Sequence, residues 1–161
     1  MIQGQVDVIW KSSDYLDLPE STVSHWEPYG TVPDVFWTVT NQFNLGMPIV
    51  GVNTYKPGQL IPWHADLYQN YRESNNIPDD KQIVRIIVFL HDQMAGHQLW
   101  IEDQICIGNA GAYFGWVGQT EHMAGNVGHE DRYVLQITGI DENKKYKCCL
   151  LYTSPSPRDR G

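Results

Sequence analysis

Three side chains in this 161-residue chain have the types and spacing to hold one metal ion. The segment Trp63-His64-Ala65-Asp66 follows the apolar run Leu60-Ile61-Pro62. Residues two apart in a strand point to the same side, so the His64 imidazole and the Asp66 carboxylate can reach one ion. Joined by a second imidazole, they make a facial set of donors that leaves coordination positions open. That second imidazole must come from another strand of the same sheet. His122, 56 residues after Asp66, is the candidate. Spacing alone is weak evidence, because composition gives roughly half a chance match to His-x-Asp. A second match stands at His129-Glu130-Asp131, and His25-Trp26-Glu27 offers His-x-Glu. Context separates them. His25 lies in a stretch with Pro and Gly and no strand pattern, and His129 lies in a turn-like segment. Only His64 and Asp66 close an apolar strand.

Arg132 adds an anion-binding group. It opens the run 132–138, in which Tyr133, Leu135 and Ile137 make one apolar face and Arg132, Val134 and Gln136 the other. If the second face lines a barrel, Arg132 is a buried cation in need of an anion, and a guanidinium can hold a carboxylate through two hydrogen bonds. The alternative is an exposed strand-end Arg paired with Glu130 or Asp131. Arg85 interrupts the β-branched run 82–90 and must be solvated or paired. It either faces the pocket, toward an anionic substrate or cosubstrate, or points outward.

The elements that position these groups read as short strands. Runs 5–11, 48–55, 60–66, 82–90, 113–117 and 132–138 carry strand patterns, and 98–102 with 104–107 reads as a hairpin. Lys56-Pro57-Gly58 is a turn. Residues 12–30 read as a loop, 33–44 as a helix with Thr31 as its cap, 67–81 as a polar connection with one helical turn, and 118–128 as a Gly-rich connection. Strands at intervals of roughly 8–12 residues point to a sandwich or barrel, and their number suits a jelly roll. Trp63, Trp100 and Trp116 read as core, with a pocket lining as the alternative, Cys106 as core, and Asn126 as a turn residue or a substrate contact. His91 and His97, flanking a loop, are expected to face solvent.

Composition narrows the classes. The length fits one domain, and 12% aromatic residues exclude a disordered chain. No apolar run approaches the ~20 residues of a membrane span, so no membrane partner is expected, and no secretory signal opens the chain. A net charge of −8 argues against general nucleic-acid binding. Three Cys make neither a disulfide framework nor a zinc motif, so the expected location is cytoplasmic.

The segment from Cys149 to Asp159 resembles a sequencing-library adapter translated as if it were coding sequence, which suggests an environmental, metagenomic source. Residues 149–161 are therefore expected to be a non-native, disordered tail. The natural part, 1–148, is expected to be one domain clipped at its C-terminus and one charge unit more negative than the whole.

The Pro57-Gly58 turn, His64-x-Asp66, His122 and Arg132 ten residues later together resemble the iron(II)- and 2-oxoglutarate-dependent oxygenases. His122-Met123-Ala124-Gly125-Asn126 followed by Asp131-Arg132-x-x-Leu135 is most similar to the branch of aspartyl/asparaginyl and proline hydroxylases, of a size and type common in phage. The resemblance covers residues 55–139. It implies a mainly β fold, the double-stranded β-helix (jelly roll), here with one or two short helices in the N-terminal half. It implies that His64, Asp66 and His122 are catalytic and ligate iron(II), that Arg132 holds the far carboxylate of the cosubstrate 2-oxoglutarate, and that molecular oxygen takes the remaining position. The products would be succinate, carbon dioxide and a hydroxylated amino acid or peptide side chain, from a small-molecule or peptide substrate. If phage-encoded, the protein would work in the host cytoplasm. The chain departs from the family at Val134, where many members carry Ser or Thr. Either Tyr55 or Tyr113 would supply the missing hydroxyl or Arg132 would act alone, with Arg85 a further candidate for binding the cosubstrate.

Two other readings stay open. One is a non-catalytic jelly-roll binding or structural module, of phage or carbohydrate-binding type, with His64 and His122 far apart. The other is a cupin-like metal enzyme that uses neither 2-oxoglutarate nor Arg132. Substrate identity and oligomeric state are not set by the sequence.

Overall fold

A computed structural model describes residues 1–18 and 32–146. His25, Thr31 and the adapter-like tail lie outside them. The strands are β1 (Ile2–Gln5), β2 (Gly46–Tyr55), β3 (Leu60–His64), β4 (Ile83–Phe89), β5 (His97–Ile101), β6 (Gln104–Ile105), β7 (Ala112–Val117), β8 (His122–Asn126) and β9 (Arg132–Ile140). The helices are α1 (Ser13–Leu16), α2 (Asp34–Asn41) and α3 (Gln69–Asn75). One sheet has the order β1-β7-β4-β9-β2 and the other β3-β8-β5-β6. All pairings are antiparallel. From β2 onward the chain passes back and forth between the sheets, so it winds as a double-stranded β-helix, the jelly roll expected from the strand spacing.

β4 shows why the sheets stack as they do. Its continuous apolar run lets both faces be buried. Val84, Ile86 and Val88 join Phe36 and Val39 of α2 and Leu135 and Ile137 of β9 in a core on the outer side of the larger sheet. Ile87 and Phe89 point the other way and meet Leu99, Phe114, Trp116 and Val134 between the two sheets. Arg85 shares that inner side by the period of two.

α2 is short of good helix formers, since β-branched residues lose side-chain freedom in a helix. It stands because Phe36, Val39, Thr40 and Phe43 recur at helical spacing and are buried. Pro33, at φ −55°, leads into it. Among the described residues no helix is long and apolar enough to cross a membrane.

Two sequence expectations are corrected. The first strand is Ile2–Gln5, not 5–11. Its ladder with β7 stops at the pair Gln5 and Ala112, because β7 begins there, just after the turn at Gly111 with φ +89°. After one more backbone bond, from the Val6 N–H to the Gly111 carbonyl at 2.9 Å, the chain leaves β7, and the Trp10 indole is buried, donating to the Leu90 carbonyl at 2.8 Å. The Gly-rich stretch 118–128 contains β8. Gly125 is there for close approach rather than for a turn: a Cβ would collide with Leu60 and lie 2.9 Å from the Gln59 carbonyl oxygen.

Candidate metal centre

β3 and β8 run side by side, and after a register shift His64 lies opposite His122. Their ring centroids are 4.3 Å apart, so the separation that a non-metal module would have allowed is absent. β3 ends at His64, and Asp66 lies two residues beyond it. Its carboxylate returns to the pair, with Oδ1 3.3 Å from His64 Nε2 and Oδ2 3.2 Å from His122 Nε2. One potential ligand atom from each of the three residues lies within 4.8 Å of the others.

The hydrogen bonds behind the rings decide what these atoms are. His64 Nδ1 lies 2.7 Å from the Pro62 carbonyl oxygen, and His122 Nδ1 lies 2.8 Å from that of Thr120. A carbonyl only accepts, so each Nδ1 carries the proton and donates. In the neutral ring each Nε2 is then a lone pair, aimed at a carboxylate. Electron-rich atoms so arranged call for a cation between them. Two imidazole nitrogens and one carboxylate oxygen, with positions left open, suit iron(II) and its first-row neighbours. Carbonyl partners on the far nitrogens are the usual means of orienting metal-binding imidazoles. Burial pushes the Asp66 carboxyl up, but the close contact with His122 and the Arg85 charge outweigh it and hold it at about 2. It is a carboxylate at neutral pH.

Both arginines line the same pocket, with Ile87, Leu99 and Val134 as apolar wall. They differ in how they are partnered. Arg85 Nη1 donates to Asp66 Oδ2 at 2.8 Å, and its Nε donates to Thr138 Oγ1 at 3.0 Å. It takes the pocket-facing of its two expected placements, with its charge engaged by a candidate ligand residue. Arg132 is 3% exposed, yet its Nη1 and Nη2 have no hydrogen-bond partner among the described residues. Tyr55 stands opposite it in the β2–β9 ladder, with the guanidinium carbon 4.9 Å from the Tyr55 ring centroid. Burial lowers the affinity of Arg132 for its proton. Burial also pushes the Tyr55 phenol up, with Arg132 opposing it.

Tyr113 is not at the site, against expectation. It points to the other side of β7, where its ring meets Phe43 edge-on at 4.9 Å, because Ala112, Phe114 and Trp116 take the inner side by alternation. Trp116 is buried and lies over His122, centroids 4.1 Å apart at 31°. Trp63, read as core, is 49% exposed instead, on the outer side of β3. Cys106 is a buried core thiol as expected, pushed up to about 12 chiefly by burial.

Sequence reasoning missed what braces the start of β9. Asn126 Nδ2 donates to the carbonyls of Tyr55 and Glu130 at 2.9 and 2.7 Å, and its Oδ1 accepts from the Gly128 N–H at 2.9 Å. It is a clamp within the fold. His97, expected in solvent, is buried, and its Nε2 donates to the Glu130 carbonyl at 2.8 Å. His91 is also drawn in, its Nε2 accepting from the Tyr133 N–H at 3.0 Å. Their recurrence beside a loop gave no signal of this, because the partners lie more than 30 residues away.

No protein-family description matches the chain, and no curated protein matches it in sequence. Solved structures similar in shape include the following three. A protein from Thermus thermophilus has a TM-score of 0.42 and 11% identity, over 58% of this chain and 72% of that one. A cupin protein from Bacteroides fragilis has a TM-score of 0.44 and 13% identity, over 73% and 86%. A Pseudomonas putida prolyl-4-hydroxylase has a TM-score of 0.46 and 19% identity, over 66% of this chain and 61% of the hydroxylase.

Proposed function

We propose that this jelly-roll protein is a non-haem iron(II)- and 2-oxoglutarate-dependent dioxygenase that hydroxylates an amino acid or peptide side chain. The observation that carries the reading is Arg132, a buried guanidinium whose terminal nitrogens have no hydrogen-bond partner among the described residues, in the same pocket as His64, Asp66 and His122. An uncompensated buried cation is destabilising, so its natural explanation is an anion that arrives with function. The charges agree. Asp66 is offset by Arg85, so a divalent ion and Arg132 leave the pocket strongly positive, and a dianion such as 2-oxoglutarate offsets that excess.

Each residue then has a task. His64, Asp66 and His122 hold the ion. Bound iron(II) would supply the redox chemistry that couples oxygen and decarboxylation of the keto acid to oxidation of a C–H bond. Arg132 clamps the distal carboxylate through its two terminal nitrogens. The Tyr55 hydroxyl, kept protonated by burial, is placed to donate a further hydrogen bond where Val134 offers only methyl groups. Ile87, Leu99 and Val134 keep water from the buried end of the pocket. His64 is the most open of the three metal-binding residues, its side chain 36% exposed, and marks the side from which substrate approaches.

The test is succinate release with iron(II), 2-oxoglutarate and oxygen, screened against free amino acids and peptides. Succinate forming in step with oxygen uptake is expected. Oxygen uptake with a substrate but without succinate would reject the proposal in favour of a metal enzyme independent of 2-oxoglutarate.

A further inference from the structure

We infer that Arg85 is a positioning residue that occupies one oxygen of Asp66 and so confines the carboxylate to one-oxygen ligation of the metal. The inference rests on the metal reading above. Arg85 is the only charged residue in β4, a strand otherwise wholly apolar. Its side chain is 11% exposed and is fixed from three directions. Nη1 meets Asp66 Oδ2 at 2.8 Å, Nε meets Thr138 Oγ1 at 3.0 Å, and the guanidinium carbon lies 5.0 Å from the Tyr68 ring centroid. Tyr68 is itself held, its hydroxyl accepting from Trp116 Nε1 at 3.2 Å. Trp116 in turn lies over His122. The contacts close a ring from Asp66 through Arg85, Tyr68 and Trp116 to His122, and so couple two candidate ligands that come from different parts of the chain.

The two oxygens of Asp66 are therefore not equivalent. Each oxygen faces one imidazole nitrogen, Oδ1 that of His64 and Oδ2 that of His122, but Oδ2 also bears the guanidinium, so Oδ1 is the oxygen left for an ion. A carboxylate bound through both oxygens, beside two imidazoles, would leave an octahedral ion too few positions for both a two-atom chelate and oxygen. Arg85 prevents that. Its positive charge also competes with the ion for the same carboxylate, so it weakens metal binding while keeping positions open for the cosubstrate.

The opposed effects make the test specific. Arg85→Met removes donor and charge, and Arg85→Gln removes the charge but keeps a donor. Zinc(II), cobalt(II) and iron(II) serve as probes. In zinc-minus-apo infrared difference spectra the wild type is expected to show the wide splitting of carboxylate stretches that accompanies one-oxygen ligation. Arg85→Met narrows it, and Arg85→Gln keeps it wide. By calorimetry, cobalt(II) binds Arg85→Met and Arg85→Gln about 3- to 10-fold more tightly than wild type, as expected for removing a nearby cation. Iron(II)-loaded Arg85→Met binds 2-oxoglutarate at least about tenfold more weakly. Unchanged splitting in Arg85→Met, or weaker cobalt(II) binding in variants whose near-ultraviolet circular dichroism is native, would overturn the inference. Failure of the wild type to bind 2-oxoglutarate would instead reject the cosubstrate assignment, and the splitting and cobalt(II) comparison would still judge Arg85.

Discussion

His122→Ala binds iron(II) at least about a hundredfold more weakly than the wild type, and its 2-oxoglutarate turnover falls below detection. The magnitude is a lower bound, because losing even an outer partner that orients a metal-binding imidazole costs 10- to 100-fold. His122 is one of only two candidate nitrogen donors in the cluster. Its ring is held from three sides, by Trp116 at 4.1 Å, by the Thr120 carbonyl and by Asp66, so no neighbour can take its place without rearranging β8. The substitution leaves a small void between β8 and Trp116 and is expected to lower the stability of the metal-free protein only modestly. Isothermal titration with iron(II) under argon, alongside chemical denaturation, separates the two effects. Iron(II) affinity equal to wild type would remove His122 from the centre.

Arg132→Met separates function from stability in the opposite direction. Truncating one partner of a buried, hydrogen-bonded charge pair costs about 2–5 kcal/mol of binding. The dissociation constant for 2-oxoglutarate should therefore rise about 30-fold or more. Iron(II) affinity should change little, because the terminal nitrogens of Arg132 make no hydrogen bond to His64, Asp66 or His122. The ligand-free protein, by contrast, should be at least as stable as wild type. Methionine fills much of the same volume, and replacing an uncompensated buried cation with an apolar side chain is neutral or favourable. A residue kept for binding at the expense of stability is a known signature of functional sites. Denaturation midpoints and anaerobic titrations give both numbers. Loss of stability together with unchanged 2-oxoglutarate affinity would make Arg132 a structural residue.

The site was readable in the sequence where its positioning obeys the two-residue period of a strand. Alternation in 132–138 placed Arg132 on the face opposite Leu135 and Ile137, and the structure puts those two in the core under α2 while Arg132 lines the pocket. The apolar run before His64 marked β3, although Asp66 reaches the cluster from beyond the strand's end and not from within it. What the sequence hid depends on neighbours far along the chain. β8 looked like a connection because Ala124 and Gly125 are small, yet Gly125 must be small for β3 to lie so close. Arg85 gave no hint of its partner, since Asp66 lies on the other side of α3 in the chain and meets it only across the gap between sheets. Tyr55 and Tyr113 were indistinguishable by type, and only the side of the sheet each faces separates them.

In the proposed function one pocket holds both a metal at His64, Asp66 and His122 and the dianion that Arg132 awaits. Anaerobic titration of 2-oxoglutarate into the iron(II)-loaded protein, followed by visible absorption, tests it most directly. A weak metal-to-ligand charge-transfer band is expected, saturating at one equivalent and disappearing in Asp66→Ala. No band in the wild type, or a band undiminished in Asp66→Ala, would contradict it.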